Sequence, residues 1–313
     1  MINPDFLSSL NSQKLISLDR YFDEMVELYK SKKLPKVLLL NGKKGIGKFT
    51  LVIHFLNYVY TQNEPKKYNL KEKIINQESI FYKNLLNQTN QDIILIKAEE
   101  GKNIKIEDIR NLKILISKTS LSSNPRFTVI DDVEFINENS VNALLKSLEE
   151  PLDNNFFILI NNQQADLIKT ISSRCLKSNI FLNNTEIKNV VNYLVKERNI
   201  IDLIDFDFDL TPGLFLHFNE IFAKYGIDKH DQIFNKINKL LNHYKKQKDK
   251  SLINLTIFLI DRFFHELIGK NENKLEFLLN VKTSIINNIN DLIYYNLNIN
   301  SVLNSIEIKL KNV

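Results

Sequence analysis

The sequence predicts a phosphate-loop α/β domain followed by all-helical segments, and three observations carry that expectation. Short apolar runs at residues 37–40, 93–96, 127–130 and 156–160 alternate with amphipathic stretches. This is the pattern of βαβ crossovers and of a parallel sheet covered on both faces. The first run leads directly into Gly42-Lys43-Lys44-Gly45-Ile46-Gly47-Lys48 and then an apolar helical stretch. That is a G-x-x-x-x-G-K loop in the strand–loop–helix context that gives the motif meaning. Beyond Phe181 the strand runs fade and the chain turns helical.

Each element follows from its own pattern. Residues 139–150 place Val141, Leu144, Leu145 and Leu148 on one helical face, and Pro151 ends the helix. Residues 61–91 are polar and irregular and read as an insertion between core elements. Residues 184–224 read as a small helical unit holding a Thr211-Pro212-Gly213 turn, and helices are expected at 233–244, 252–268 and 275–295. The layout predicts three parts: an α/β core over 1–178, a helical lid over 179–228 and a helical domain over 229–313.

Composition narrows the function classes. With 313 residues and 43% hydrophobic content the chain can fill more than one core. A net charge of +5 is a mild basic excess that says little about nucleic acid, because Lys, Asn and Ile are abundant throughout. The single cysteine, Cys175, rules out an internal disulfide and fits a reducing, cytoplasmic setting. The N-terminus has no basic stretch leading into an apolar core, so a secretory signal is not expected. The most apolar helical stretch is interrupted by Asp261, Arg262, His265 and Glu266, which excludes a membrane span there.

The chemistry centres on the phosphate loop and an acidic strand. Gly42, Gly45 and Gly47 let backbone N–H groups turn toward phosphate oxygens, and Lys48 would reach the terminal phosphates. The motif then requires Ser or Thr, whose hydroxyl is a ligand of Mg²⁺. Here that position is Phe49, and Thr50 lies one residue too late, about 100° further round the helix. Thr50 could still touch an inner phosphate. The strand Arg126-Phe127-Thr128-Val129-Ile130 ends in Asp131 and Asp132. Asp131 fits the carboxylate that supports the magnesium shell, and Asp132 is one methylene shorter than the glutamate that would polarise water. A shift on the order of 1 Å can cost about 10²-fold in rate. Own ATPase is therefore expected to be weak or absent, no cofactor is required, and weak ATP–magnesium binding stays open.

Three motifs add a resemblance. Asp131-Asp132-Val133-Glu134, then Asn142-Ala143-Leu144-Leu145-Lys146-Ser147-Leu148-Glu149-Glu150-Pro151, then Ser173-Arg174-Cys175 resemble the bacterial clamp-loader AAA+ subunits. Residues 104–110 also resemble the family's segment before the acidic strand, and the likeness covers roughly residues 30–180. It implies an AAA+ module, a phosphate-loop parallel α/β core with a helical lid, followed by a C-terminal helical collar that joins subunits into a pentamer. The implied partners are the motor (gamma/tau) and delta subunits of the DNA polymerase III clamp loader, with the sliding clamp and primer-template DNA reached through the complex.

The resemblance also implies a division between motors, which hydrolyse ATP, and delta-prime-type subunits, which keep the fold and usually do not. Phe49, Asp132 and the lid turn Thr211-Pro212-Gly213, placed where motors carry an arginine, all depart from the motor pattern. Many relatives hold a four-cysteine zinc site between the phosphate loop and the acidic strand, and one cysteine cannot make it, so no zinc is expected. These departures point to the delta-prime type, and a catalytically active gamma/tau-type ATPase is the alternative. Arg174 is implied to act in trans as an arginine finger on a neighbour's ATP. Cys175 reads as a small buried side chain. Asn161 or Asn162, after the strand at 156–160, stands where AAA+ proteins place a nucleotide-sensing polar residue; Asn161 is the candidate. A stand-alone DNA-binding module is the third class.

Overall fold

The computed structural model describes residues 12–98, 103–117, 124–197, 200, 204, 210–270 and 272–313. The N-terminal stretch read above for a secretory signal lies outside them. The chain forms two compact units, Met1–Asn199 with Asp207–Leu214, and Ile200–Phe206 with Phe215–Val313.

The first unit is a parallel five-stranded sheet with helices on both faces. Its elements are α1 (Asp19–Lys30), β1 (Val37–Asn41), α2 (Lys48–Tyr60), α3 (Ile80–Leu86), β2 (Ile93–Lys97) and α4 (Ile106–Ser117), then β3 (Arg126–Asp131), a 3₁₀ turn (Val133–Phe135) and α5 (Glu138–Glu149). The run closes with β4 (Asn155–Asn161), α6 (Lys169–Ser172), β5 (Leu176–Asn179) and α7 (Asn184–Glu197). The strand order is β2-β3-β4-β1-β5, so β4 separates the phosphate-loop strand from the acidic strand. Register is continuous: Asn41 pairs with Asn161 on one side and Asn179 on the other, and Asp131 lies opposite Ile160.

All four expected strands are present at their expected positions. Their apolar runs are continuous because both faces are buried. Alternate residues divide between two cores. Leu38, Leu40, Phe127, Val129, Ile158 and Ile160 pack with α1 and α2. Val37, Leu39, Ile130, Phe157 and Leu159 pack with α4 and α5. The strand β5, Leu-Lys-Ser-Asn, was not anticipated. It sits at the sheet edge with three of its four residues exposed, and so has no apolar run to reveal it.

Residues 61–91 are more ordered than an irregular insertion. They contain α3, capped by the Ser79 hydroxyl on the Tyr82 N–H, and they add Tyr68, Ile75, Phe81, Tyr82 and Leu85 to the α1/α2 core. His54 of α2 ties the segment down. Its Nε2 lies 3.0 Å from the Ser12 carbonyl, which can only accept, so Nε2 donates and Nδ1 accepts from the Tyr68 hydroxyl at 2.9 Å. Burial pushes the imidazole down to about 4. An aromatic cluster with one buried histidine thus lies in the interval between the phosphate loop and the acidic strand.

The second unit is helical: most of α8 (Pro212–Tyr225), then α9 (Ile233–Gln247), α10 (Lys250–Lys270), α11 (Leu275–Tyr294) and α12 (Ile299–Lys311). Leu240, Leu241, Leu252, Leu255, Phe264, Ile285, Ile289 and Ile306 are its buried centre. No helix among the described residues is long and apolar enough to cross a membrane.

Candidate functional site

The phosphate loop turns on left-handed glycines, Gly45 at φ 83° and Gly47 at φ 96°, a conformation that side-chain-bearing residues rarely adopt. The α2 helix starts at Lys48, as the motif requires. Lys48 is buried, and its ammonium donates to the Gly42 carbonyl at 2.6 Å and the Lys43 carbonyl at 2.8 Å. Burial lowers it to about 8, against the raising influence of Asp131, Glu134 and Asp132. The loop's one motif cation is thus satisfied by the loop's own carbonyls. Phe49 lies in the α1/α2 core rather than at the loop mouth, and Thr50 is half-buried in the first turn of α2.

The turn entering α8 sits directly on the loop. Thr211 donates its hydroxyl to the Lys44 carbonyl at 2.7 Å, and the Gly213 N–H donates to the Gly45 carbonyl at 2.8 Å. A Cβ on Gly213 would meet Gly45 Cα at 2.7 Å, and one on Gly45 would meet the Thr211 hydroxyl at 2.5 Å. The two segments are in backbone contact that depends on both glycines. Spacing along the chain could not reveal this, because the partners are 167 residues apart.

At the end of β3 both carboxylates are buried and occupied. Asp131 accepts from the Asn162 side-chain amide at 2.9 Å and from the Asp132 N–H at 3.0 Å, with Lys97 3.7 Å away. Burial raises its pKa above the ordinary carboxylate value, and the neighbouring Asp132 carboxylate adds to the shift. Asp132, held at φ 57°, accepts from the same Asn162 amide at 2.7 Å and from Gln164 at 3.1 Å. Glu134 is buried as well and receives the backbone N–H groups of Asn162 and Gln164. Asn161 is engaged elsewhere: its amide donates to Asn41 at 2.8 Å, and Asn41 donates to Asn179 at 2.9 Å, a ladder of asparagines across three strand ends. Of the two asparagines weighed as sensors, Asn162 is the one that touches the acids. Glu134 lay inside the quoted acidic motif, but nothing in the sequence marked it as the residue that fixes the Asn162–Gln164 backbone.

Arg174 follows the short helix α6. Its side chain is about one-third exposed. The Glu149 Oε1 oxygen accepts from Nε at 2.6 Å and from Nη2 at 2.5 Å, and Nη1 donates to the Thr170 carbonyl at 2.9 Å. Cys175 donates its thiol to the Ile171 carbonyl, and burial raises it to about 11, which suits a packing residue and not a nucleophile.

A family model described as "DNA polymerase III, delta subunit" matches residues 18–183, a little over half of the chain. The chain belongs to this family. Its relatives include a Pseudomonas aeruginosa "DNA polymerase III subunit delta'", 31% identical over 44% of this chain and 41% of that protein. A "DNA polymerase III subunit gamma" of Buchnera aphidicola subsp. Acyrthosiphon pisum is 30% identical over 52% of this chain and 43% of its own. The chain thus spans less than half the length of these curated relatives. A Thermotoga maritima DNA polymerase III gamma subunit-related protein aligns over 94% of this chain and 97% of its own at 18% identity, TM-score 0.46, too low to carry weight. In this member of the family, the phosphate loop, the buried acids and the Ser-Arg-Cys turn are three separate stations on one α/β core.

Proposed function

We propose that this chain is a delta-prime-type subunit of a DNA polymerase III clamp loader, an assembly subunit that does not hydrolyse ATP and presents Arg174 to a neighbouring motor's ATP. The observation that carries the reading is the closed phosphate loop. Lys48 is spent on the Gly42 and Lys43 carbonyls, and the Thr211–Gly213 turn lies on Lys44 and Gly45. A phosphate chain entering this loop would have to displace both. Phe49 offers no metal ligand, and the Asp131 and Asp132 carboxylates are already bound by Asn162. Arg174, by contrast, remains at the surface. A planar guanidinium can share charge on a γ-phosphate, and such fingers are worth about 10³–10⁵ in rate in other NTPases. On this reading residues 1–178, 179–228 and 229–313 serve as core, lid and collar. The partners are gamma/tau and delta subunits, with the clamp and primed DNA reached through the assembly.

Reconstitution with the cognate gamma/tau and delta subunits tests it, comparing wild type with Arg174→Ala. The variant complex assembles and loses most of the clamp- and DNA-stimulated ATPase. An unchanged rate sinks the finger assignment. The alternative, a gamma/tau-type ATPase, draws on the gamma relative that matches at nearly the same identity. Robust magnesium-dependent turnover by the isolated chain would establish it in place of the first reading.

A further inference from the structure

We infer that Glu149 is a positioning residue for Arg174, holding its guanidinium in the orientation from which it serves a neighbouring subunit's nucleotide. The inference rests on the finger reading above and adds the residue that makes the finger rigid.

The geometry is specific. Arg174 leaves the chain two residues after α6 ends, and its own N–H bonds back to the Ile171 carbonyl, so its Cα is fixed by that turn. A long side chain on such a turn still has four rotatable bonds, and orienting it freely at the moment of reaction costs rotamer entropy. Two groups remove that freedom. The Thr170 carbonyl accepts from Nη1 at 2.9 Å, and the single oxygen Oε1 of Glu149 accepts from both Nε and Nη2. The Nε–Nη2 edge is thereby docked against the protein. Part of the Nη2 donor capacity is left over, and about one-third of the side chain stays open.

Glu149 is itself well placed to act as a stop. It is the last residue of α5, whose Val141, Leu144 and Leu148 are buried in the core against the sheet. Pro151 follows two residues later, so the helix end cannot slide or extend. A partly exposed ion pair of this kind adds little to folding stability. Its contribution is therefore geometric: it joins the end of α5 to the turn after α6 through the finger. Because both bonds reach one oxygen, the amide oxygen of glutamine can occupy the same place, whereas alanine leaves the edge unheld.

The test uses the reconstituted complex with clamp and primed DNA, and reads kcat and KM for ATP separately. Glu149→Ala lowers kcat between about tenfold and about a hundredfold, the loss expected of a reacting group displaced by on the order of 1 Å. The KM for ATP stays unchanged, because the nucleotide is held by the neighbour. Glu149→Gln retains most of the rate. The Glu149→Ala/Arg174→Ala complex is no slower than Arg174→Ala alone, since Glu149 acts through the arginine. Size exclusion and thermal unfolding of each complex confirm assembly; Glu149 is exposed at a helix end, so the fold tolerates the change. If Arg174→Ala is impaired but Glu149→Ala runs at or above the wild-type rate, the positioning role is refuted while the finger stands. Losses that multiply in the double variant refute it equally. An Arg174→Ala complex at the wild-type rate overturns the finger reading and this inference together.

Discussion

Replacing Phe49 by threonine restores the hydroxyl that a phosphate-loop motif calls for, and the structure says the repair will fail. Phe49 is the second residue of α2 and is only 8% exposed, packed in the cluster that joins α1 and α2 to the sheet. Truncating a buried phenylalanine costs about 3–5 kcal/mol when the site cannot collapse. Threonine keeps the Cβ and one methyl, which returns part of that. Its hydroxyl, pushed into an apolar setting, forfeits about 1–3 kcal/mol unless it finds an acceptor. The nearest helical acceptor, the carbonyl four residues back at Gly45, already accepts from the Gly213 N–H and would have to be shared. The net expectation is a loss of about 3–5 kcal/mol, a large share of the roughly 5–15 kcal/mol that holds a domain together. Urea titration followed by circular dichroism reads this as a lower midpoint at unchanged slope. A phosphate-release assay with MgATP on the same sample should stay at background, because Lys48, Thr211 and Gly213 are untouched. A variant with wild-type midpoint and magnesium-dependent turnover would refute both the packing assignment and the closed-loop reading.

Two further outcomes follow from the same geometry. His54 has a folded value near 4, below its ordinary 6.5, so between those values the unfolded chain binds the extra proton. Stability from this group is therefore full above pH 6.5 and declines as pH falls toward 4, by up to about 3 kcal/mol. Denaturation midpoints measured from pH 7 to 4.5 should fall more steeply for wild type than for His54→Gln, and parallel slopes would dismiss the buried-histidine account. Gly213→Ala places a Cβ against Gly45 backbone, which cannot yield like a flexible side chain. It should cost about 1–3 kcal/mol, as overpacking does, and speed amide hydrogen exchange over residues 42–48. Unchanged exchange there would mean the α8 turn does not hold the loop.

Most of the sheet was legible because burial on both faces writes itself as a continuous apolar run. The runs at 37–40, 93–96, 127–130 and 156–160 became β1 to β4, and the face pattern of 139–150 became α5. The edge strand β5 was not legible, since an edge strand of Leu-Lys-Ser-Asn carries no such run. The insertion at 61–91 was read as polar because its Tyr68, Phe81 and Tyr82 are scattered among charged residues, and only the fold gathers them into the core, Tyr68 against Phe22 and Phe81 stacked on Tyr60. The site divided in the same way. Phe49, Asp131, Asp132 and Arg174 stood out by motif position. Asn162, which holds the acids, was named only beside the candidate Asn161, and Glu134, which fixes the Asn162–Gln164 backbone, and Glu149, which holds the arginine, lay inside motifs with no role marked for them.

By itself the sequence determined the elements and the inventory. Local periodicity fixes which residues form strands and helices, and the loop glycines and the missing hydroxyl at Phe49 are properties of a few adjacent residues. What Lys48, Asp131 and Arg174 are bonded to was decided only by the tertiary structure. The side-chain partners of Asp131 and Arg174 come from the residue after β4 and from the end of α5, 31 and 25 residues away along the chain, and those of Lys48 from its own loop once it has closed, while Thr211 reaches that loop at Lys44 from 167 residues away. No local pattern encodes such pairings, because strand order and helix packing bring them together only after the chain has folded. Phe49 shows the boundary: its identity announced that the motif hydroxyl is missing, and its burial in the core decides what replacing it would cost.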